Sequence, residues 1–169
     1  NLDENMSRQN IFRAVIWELG RQRFLLERVV LRPVQMSDAV DMFEYASDPA
    51  VCQFLQWGPY ATLSEAERWL ESKIENSKRE DILFGVELKE ESRLIGVVRI
   101  YSFDFEKRQG EISYILNPAY SGKGLATEAV KGAIEVVCKA LGLRSIIATV
   151  DFENEESSRL AQRLGFRYL

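Results

Sequence analysis

Histidine is absent from the 169 residues of the chain. The sequence therefore lacks the commonest general base of proteins, the Ser-His and Cys-His nucleophile systems, and the usual ligand of zinc and iron. Proton transfer in this protein must run through carboxylates, tyrosine, lysine, cysteine or water. We expect no metal site.

Cysteine is scarce, and long hydrophobic runs are missing. The two cysteines, Cys52 and Cys138, lie far apart and in no metal-ligand spacing, so we interpret both as reduced core thiols. No apolar run approaches the length of a membrane span, and the first residues lack a signal-peptide pattern. These absences predict a cytoplasmic protein that does not engage a membrane.

Positive charge is also in short supply. The chain carries 22 Lys and Arg against 26 Asp and Glu, a formal charge of -4, with no block of basic residues. This balance argues against a nucleic-acid partner. With 46% hydrophobic residues, the length suits one compact domain with a substantial core.

Residues 1–25 form an N-terminal extension for which the spacing predicts a helix. Its apolar residues recur at helical intervals, with arginines on either side: Ile11, Phe12, Val15, Ile16 and Leu19. Such a helix packs either on its own domain or on a neighbouring subunit. A basic amphipathic helix that contacts a membrane or nucleic acid is the alternative.

Residues 26–169 carry the remaining pattern, which predicts the element order β-α-α-β-β-β-α-β-α. Ser64 and Glu67 have the spacing of a capping box at the start of the second of these helices. Hairpin-linked strands followed by β-α-β units imply an α/β (α+β) fold, a mixed central sheet with helices on both faces.

A glycine-rich turn, "NPAYSGKGLATEAV", follows the strand pattern "GEISYIL" and leads into a helix. The small residues at Gly122, Gly124 and Ala126 would let an anion approach the free amides of the helix start, and Lys123 would add a charge. A tight turn without a ligand is the alternative. Walker A and dinucleotide spacings both fail, the latter because Thr127 stands where glycine is needed.

The segment "YSGKGLATEAV" resembles the acetyl-coenzyme A loop of the GNAT acyltransferase superfamily, (Q/R)-x-x-G-x-(G/A), with Ser121 where Gln or Arg is usual. The resemblance extends from about Leu26 to Phe166. The segments "RVVLRPV", "QFLQWGPY", "RLIGVVRIY", "GEISYILNPAYSGKGLATEAV" and "LGLRSIIATVDFENEESSRLAQRLGF" are similar to the RimJ/RimL-like branch, which includes N-terminal acetyltransferases of ribosomal proteins.

The resemblance implies that acetyl-coenzyme A is the co-substrate and that a primary amine attacks its thioester directly. The acceptor would be a protein N-terminus or a small-molecule amine. A non-catalytic acyl-coenzyme A binding module with a degenerate acceptor site is the alternative. By the same implication, the residues that hold the coenzyme are Ile115, Leu116, Ser121, Gly122, Lys123, Gly124, Leu125, Ala126, Thr127 and Asn154.

Two residues are implied to take part in catalysis. Glu111 is the candidate base, because relatives with "GEI" often carry an active-site glutamate there; a carboxylate on a solvated strand face is the alternative. Ser157 matches a serine near the sulfur in the RimL-like branch, and Ala161 replaces the more common tyrosine. Ser157 could instead lie in a solvated first turn and Asn154 could simply cap the helix. Tyr114 alternates onto the opposite face from Glu111, which favours packing.

Aromatic residues mark the expected acceptor side. Trp57 and Tyr60 are candidates to bind the acceptor, although either could belong to the core, and the helical spacing of Trp69 favours a core position. The sequence ends at Leu169, just after a Leu-Gly-Phe that in the GNAT fold normally leads into two more strands. The expectation is that these terminal strands are missing from the sequence, or that the N-terminal segment or another subunit replaces them, the latter in a homodimer.

Overall fold

The computed structural model describes residues 1–75 and 80–169. Its helices are α1 (Leu2–Leu19), α2 (Ala39–Ala46), α3 (Pro49–Cys52), α4 (Leu63–Glu75), α5 (Leu125–Leu141) and α6 (Glu155–Arg163). Its strands are β1 (Phe24–Leu25), β2 (Val29–Arg32), β3 (Ile82–Leu88), β4 (Arg93–Asp104), β5 (Gln109–Leu116) and β6 (Ser145–Ala148). Single 3₁₀ turns span Met36–Asp38 and Pro118–Tyr120.

The six strands form one mixed sheet in the order β1-β2-β3-β4-β5-β6. Neighbouring strands are antiparallel from β1 to β5, and β5 and β6 are parallel because α5 connects them as a crossover. The predicted mixed sheet is confirmed. The short elements β1 and α3 were not predicted, since two and four residues leave little periodic signal.

Helices cover both faces of the sheet, as predicted. On one face, α1, α5 and α6 enclose the larger apolar cluster, in which Phe84, Ile100 and Val137 are fully buried. On the other face, α2 and α4 enclose a smaller cluster around Met42, Tyr45 and Leu70. Side chains of β5 alternate between these two clusters, so the strand presents different chemistry to each face.

The N-terminal helix α1 packs against the sheet of its own domain. Ile16 and Leu19 are buried in the larger cluster, and Phe12 makes edge-to-face contacts with Phe103 and Phe105. These contacts favour the interpretation of α1 as a helix that completes the core. The division of the chain after residue 25 stays a prediction.

The capping box that was predicted from Ser64 and Glu67 is wrong by two residues. Helix α4 begins at Leu63, and Glu65 accepts hydrogen bonds from the amides of Ala61 and Thr62 at 2.5 and 3.2 Å. The same Ser/Thr-x-x-Glu spacing occurs twice in this stretch, at Thr62–Glu65 and again two residues later. At the earlier one, the Glu65 carboxylate accepts from the Thr62 amide, and the Glu65 amide donates to the Thr62 carbonyl, which leaves Ser64 in the first turn.

A buried ion pair fixes the sheet to the 3₁₀ turn before α2. Arg32 makes two hydrogen bonds to Asp38, at 2.8 and 2.9 Å, and a third to Glu87 at 2.5 Å. Arg32 and Asp38 are each 4% exposed. These bonds raise the pKa of Arg32, Asp38 contributing most, so the guanidinium is charged at every working pH.

Within the described residues, no helix is both long and apolar enough to cross a membrane.

Candidate active site

The two parallel strands of the sheet separate after a short ladder. Only Gln109–Ile112 of β5 pair with Ser145–Ala148 of β6. Strand β5 continues to Leu116 and stays paired with β4 on its other side. Its last four residues therefore have a sheet edge that β6 does not cover.

Strand alternation decides which backbone groups face this open edge. The Asn117 amide donates to the Ile95 carbonyl at 2.6 Å, and the Ile115 carbonyl oxygen lies against Gly96. The peptide groups of Ile115 therefore point to β4, and those of Leu116 point away from it, towards the gap. Of the two strand residues implied for the pantetheine arm, Leu116 has the accessible backbone, and Ile115 adds its side chain to the α2–α4 cluster.

The glycine turn directly follows this open edge. Gly122 and Gly124 adopt left-handed conformations with φ of 76° and 75°, and Gly124 is the N-cap of α5. Residues 121–124 are exposed, and a Cβ added to Gly122 would meet no atom within 4 Å. No side chain of the described residues caps the helix, so the amides of Leu125 and Ala126 at its start are available to a ligand.

The base of the turn is held by Arg28 and Glu128. Arg28 Nη1 donates to the Lys123 carbonyl at 2.7 Å, and Arg28 Nε donates to Glu128 at 2.9 Å. Glu128 also accepts from the backbone amides of Arg28 and Val29, at 2.8 and 3.0 Å. Burial alone would raise the pKa of Glu128, but these hydrogen bonds outweigh it and lower the pKa. Neither residue was predicted, because they lie 100 positions apart.

The side chains of Ser121 and Lys123 in the turn each have one local contact. Ser121 Oγ donates to the Pro118 carbonyl at 2.7 Å, which ties the residue to the preceding 3₁₀ turn. Lys123 Nζ lies 5.8 Å from the centre of the Tyr120 ring, and the rest of the side chain is exposed. The Lys123 ammonium is thus close enough to the turn to add positive potential there.

Glu111 lies on the α2–α4 face of β5, at the end of the β5–β6 ladder. Its register partners are Tyr101 in β4 and Ile147 in β6, and it is half-buried rather than fully solvated. The pKa of Tyr101 is raised, first by burial and then by the charge of Glu111 and a hydrogen bond to it. A half-buried carboxylate beside a protonated phenol differs from the solvated strand position that was the alternative for Glu111.

Ser157 and Asn154 lie at the start of α6, on the opposite face of the sheet from Glu111. Asn154 is the N-cap, and its Oδ1 accepts from the Ser157 amide at 3.1 Å. Ser157 Oγ donates to the Tyr114 hydroxyl at 3.3 Å, and that hydroxyl donates to the Ser157 carbonyl at 3.3 Å. The capping role of Asn154 is thus present, and Ser157 is half-buried against β5. Packing was predicted for Tyr114, but its hydroxyl contact was not.

The aromatic residues predicted for the acceptor side lie together. Trp57 stacks on Tyr60 with ring centres 5.3 Å apart, and Trp69 lies 6.2 Å from Trp57. All three are half-buried against the α2–α4 cluster, which also contains Ile115. Burial raises the pKa of Tyr60 to about 12, so its hydroxyl is neutral. This aromatic cluster and Glu111 share one face of the sheet.

The observed groups fit a ligand that has a phosphate at one end and an extended amide arm. Two exposed left-handed glycines and uncapped helix amides form a cradle for an anion. The uncovered edge of β5 offers peptide hydrogen bonds to an arm that lies alongside it. Coenzyme A has both parts.

The comparisons with known proteins agree with this geometry. Residues 28–167 match the family model of the acetyltransferase (GNAT) domain. The chain belongs to this family. The superfamily resemblance is confirmed, and the protein is an acetyl-coenzyme A dependent N-acetyltransferase.

Several GNAT relatives are similar over most of their length. The uncharacterized N-acetyltransferase YnaD of Bacillus subtilis (strain 168) is 32% identical over 142 residues, which cover 83% of this chain and 80% of YnaD. Spermidine N(1)-acetyltransferase of Escherichia coli (strain K12) is 29% identical over 138 residues, with coverages of 82% and 72%. The structure of the ribosomal-protein-S5-alanine acetyltransferase from Vibrio fischeri is 28% identical, has a TM-score of 0.72, and matches 86% of this chain and 83% of that chain.

Proposed function

We propose that this GNAT enzyme transfers the acetyl group directly to a primary amine, with Glu111 as the base. The observation that carries the proposal is the arrangement along β5. One strand holds a half-buried carboxylate where its ladder with β6 ends, an uncovered peptide edge beyond it, and the uncapped α5 turn after that. The base and the groups that would hold the donor therefore follow one another along β5 and the turn after it.

Each part of the site has a role under this proposal. The turn from Ser121 to Thr127 holds the pyrophosphate, and the Leu116 backbone holds the pantetheine arm. Glu111 takes the proton that the attacking ammonium must lose. Asn154 and Ser157 bring the start of α6 to the far side of the same gap. The coenzyme supplies the activated acetyl group.

The acceptor enters from the α2–α4 face. Glu111 lies on that face together with the aromatic cluster of Trp57, Tyr60 and Trp69. Aromatic rings and a carboxylate attract ammonium groups, and the net charge of the chain is -4. These features suit a cationic acceptor, either a protein N-terminus, as the name of the Vibrio fischeri relative suggests, or a polyamine, as the name of the Escherichia coli relative suggests.

Thiol release from acetyl-coenzyme A tests the proposal. The purified chain is assayed with spermidine, with an aminoglycoside, and with peptides that carry the N-termini of ribosomal proteins. Each peptide is paired with an N-terminally blocked form as a control. We expect turnover with at least one amine and none with the blocked peptides. Coenzyme binding without turnover on any amine would overturn the proposal.

A further inference from the structure

Tyr114 lies on the part of β5 that β6 leaves uncovered. Its ring packs on the larger apolar cluster, and its hydroxyl exchanges two hydrogen bonds of 3.3 Å with Ser157, one with Oγ and one with the carbonyl oxygen. Two hydroxyl groups therefore meet where β5 approaches the start of α6. This is the gap beside which the proposed function places the pantetheine arm, whose end carries the thioester.

The transfer reaction needs an acid in this gap. When the carbon–sulfur bond breaks, its electron pair remains on sulfur, and a proton donor at that point lowers the barrier. A free phenol, with a pKa of about 10, is close in acidity to a free thiol, at about 8.5, and burial makes Tyr114 a somewhat weaker acid than the free phenol. A serine hydroxyl is a much weaker acid, so of the two neighbouring hydroxyls Tyr114 is the better donor.

We propose that Tyr114 is the general acid of the transfer and that Ser157 positions its hydroxyl, an inference that rests on the proposed function. The ammonium passes one proton to Glu111, which releases it to solvent, and the neutral nitrogen forms a bond to the acetyl carbon. As the carbon–sulfur bond breaks, its electron pair stays on sulfur and the Tyr114 proton moves there. The nitrogen loses its second proton to solvent and the phenolate takes one up, so that one proton is released overall and charge balances.

The surroundings of Tyr114 favour a hydroxyl that stays protonated until it is used. Burial raises the pKa of Tyr114, and the hydrogen bond with Ser157 and the charge of Arg163 act in the opposite direction without cancelling it. The Tyr114 hydroxyl donates at 3.3 Å to a neutral carbonyl, that of Ser157, from which it can turn to the sulfur, whereas the other tyrosines nearby interact with carboxylates. The Tyr120 hydroxyl donates to Glu91 at 2.6 Å, and Tyr101 lies beside Glu111 on the other face.

A pair of Tyr-to-Phe variants tests the inference kinetically. Tyr114→Phe keeps the packed ring and removes the hydroxyl. Tyr168→Phe is the matched control, because the exposed Tyr168 hydroxyl also bonds to α6, accepting from Gln162 at 3.2 Å. We expect Tyr114→Phe to lower kcat about 100-fold with an unchanged KM for acetyl-coenzyme A, and Tyr168→Phe to match the wild type. Equal kcat in the two variants would overturn the inference.

A second measurement needs no acceptor and therefore separates the two hypotheses. The pKa of the thiol of bound coenzyme A is read from the ultraviolet absorbance of the thiolate, with coenzyme-free protein as the blank. A hydroxyl that donates to sulfur stabilises the thiolate, so Tyr114→Phe should raise the pKa of the bound thiol by about 1. An unchanged pKa would overturn the inference even if the wild type acetylates amines. Conversely, a raised pKa with no turnover on any amine would leave Tyr114 beside the sulfur and refute only the proposed function.

Discussion

Arg28 and Glu128 are 100 positions apart in the sequence and are joined by two hydrogen bonds, at 2.8 and 2.9 Å. Through the Lys123 carbonyl, Arg28 also holds the glycine turn. These bonds therefore hold the start of β2, the glycine turn and α5 together. The turn keeps its shape because the side chain of Arg28, just before β2, is hydrogen-bonded to the Glu128 carboxylate of α5.

Replacement of Glu128 by Gln should weaken these bonds. We expect Glu128→Gln to lower the free energy of unfolding by about 1 kcal/mol, the low end for hydrogen bonds to a charged group, because Arg28 is 45% exposed. Coenzyme A affinity should fall with it. Urea unfolding and calorimetric titration measure the two effects, and Glu135→Gln, an exposed position on the same helix, is the control.

The effect of Glu128 should also depend on pH. The folded state lowers its pKa below the ordinary value of 4.5, so its contribution to stability is present above that value. The contribution is lost as the pH falls through the folded pKa. The difference in stability between wild type and Glu128→Gln should therefore be constant near neutral pH and shrink below about pH 4.5. A difference that grew with acid would contradict the assigned role.

An acidic side chain at Gly124 should abolish coenzyme binding. Gly124 has a φ of 75°, a Cβ there would lie 3.4 Å from Arg28, and a carboxylate would occupy the anion cradle. We expect Gly124→Glu to weaken coenzyme A binding about 100-fold or more. Gly165→Glu controls for backbone strain, since Gly165 has a φ of 87° and open space around it. Unchanged affinity in Gly124→Glu would remove the phosphate assignment.

Loss of the Glu111 carboxylate should affect the chemical step. We expect Glu111→Gln to lower kcat about 100-fold, the lower range for a general base, while the coenzyme A dissociation constant stays the same. Steady-state kinetics at saturating acetyl-coenzyme A checks the rate, and calorimetry checks the binding. If Glu111→Gln has the same kcat as the wild type, Glu111 is not the general base.

Replacement of Trp57 should change the KM for the acceptor amine and leave that for acetyl-coenzyme A unchanged. Trp57→Ala removes the ring that stacks on Tyr60, so the KM for the amine should rise several-fold and the KM for acetyl-coenzyme A should not change. Trp17→Ala, on α1 at the opposite face, is the comparison variant. A change confined to acetyl-coenzyme A would place Trp57 on the donor side instead.

The local features of the site were predictable from the sequence, and the long-range ones were not. The glycine turn and the strand before it form a contiguous pattern, and the α5 periodicity continues it, so the turn at Gly122 and Gly124 was located directly. The clamp of Arg28 on Lys123 and the contact of Tyr114 with Ser157 join residues 95 and 43 positions apart. A single sequence carries no signal for such pairs. Tyr114 was expected only to pack because alternation predicts the face of a side chain, not the partner of its hydroxyl.

The buried pair of Arg32 and Asp38, six positions apart, leads to a stability prediction. Asp38→Ala would leave a guanidinium that is 4% exposed with Glu87 as its remaining carboxylate. We expect a loss of about 3–5 kcal/mol in the free energy of unfolding. Glu155→Ala removes a carboxylate from a surface pair with Arg159 and should cost no more than about 1 kcal/mol. Equal losses in the two variants would refute this reading of Arg32.

The four-residue ladder between β5 and β6 has a consequence for how the enzyme folds as well as how it works. Because β6 stops pairing halfway along β5, the remaining peptide groups of β5 have no strand partner on that side. The pantetheine arm would form hydrogen bonds with them in place of a longer β6. Coenzyme binding then shifts the folding equilibrium towards the folded state. At a free coenzyme concentration of 100 times the dissociation constant, it would add about 2.7 kcal/mol to the free energy of unfolding. The amides of Tyr114 and Leu116 should exchange with solvent freely in the empty enzyme and become protected when the coenzyme binds. Saturating coenzyme A should therefore raise the unfolding temperature of the enzyme as well as support its turnover.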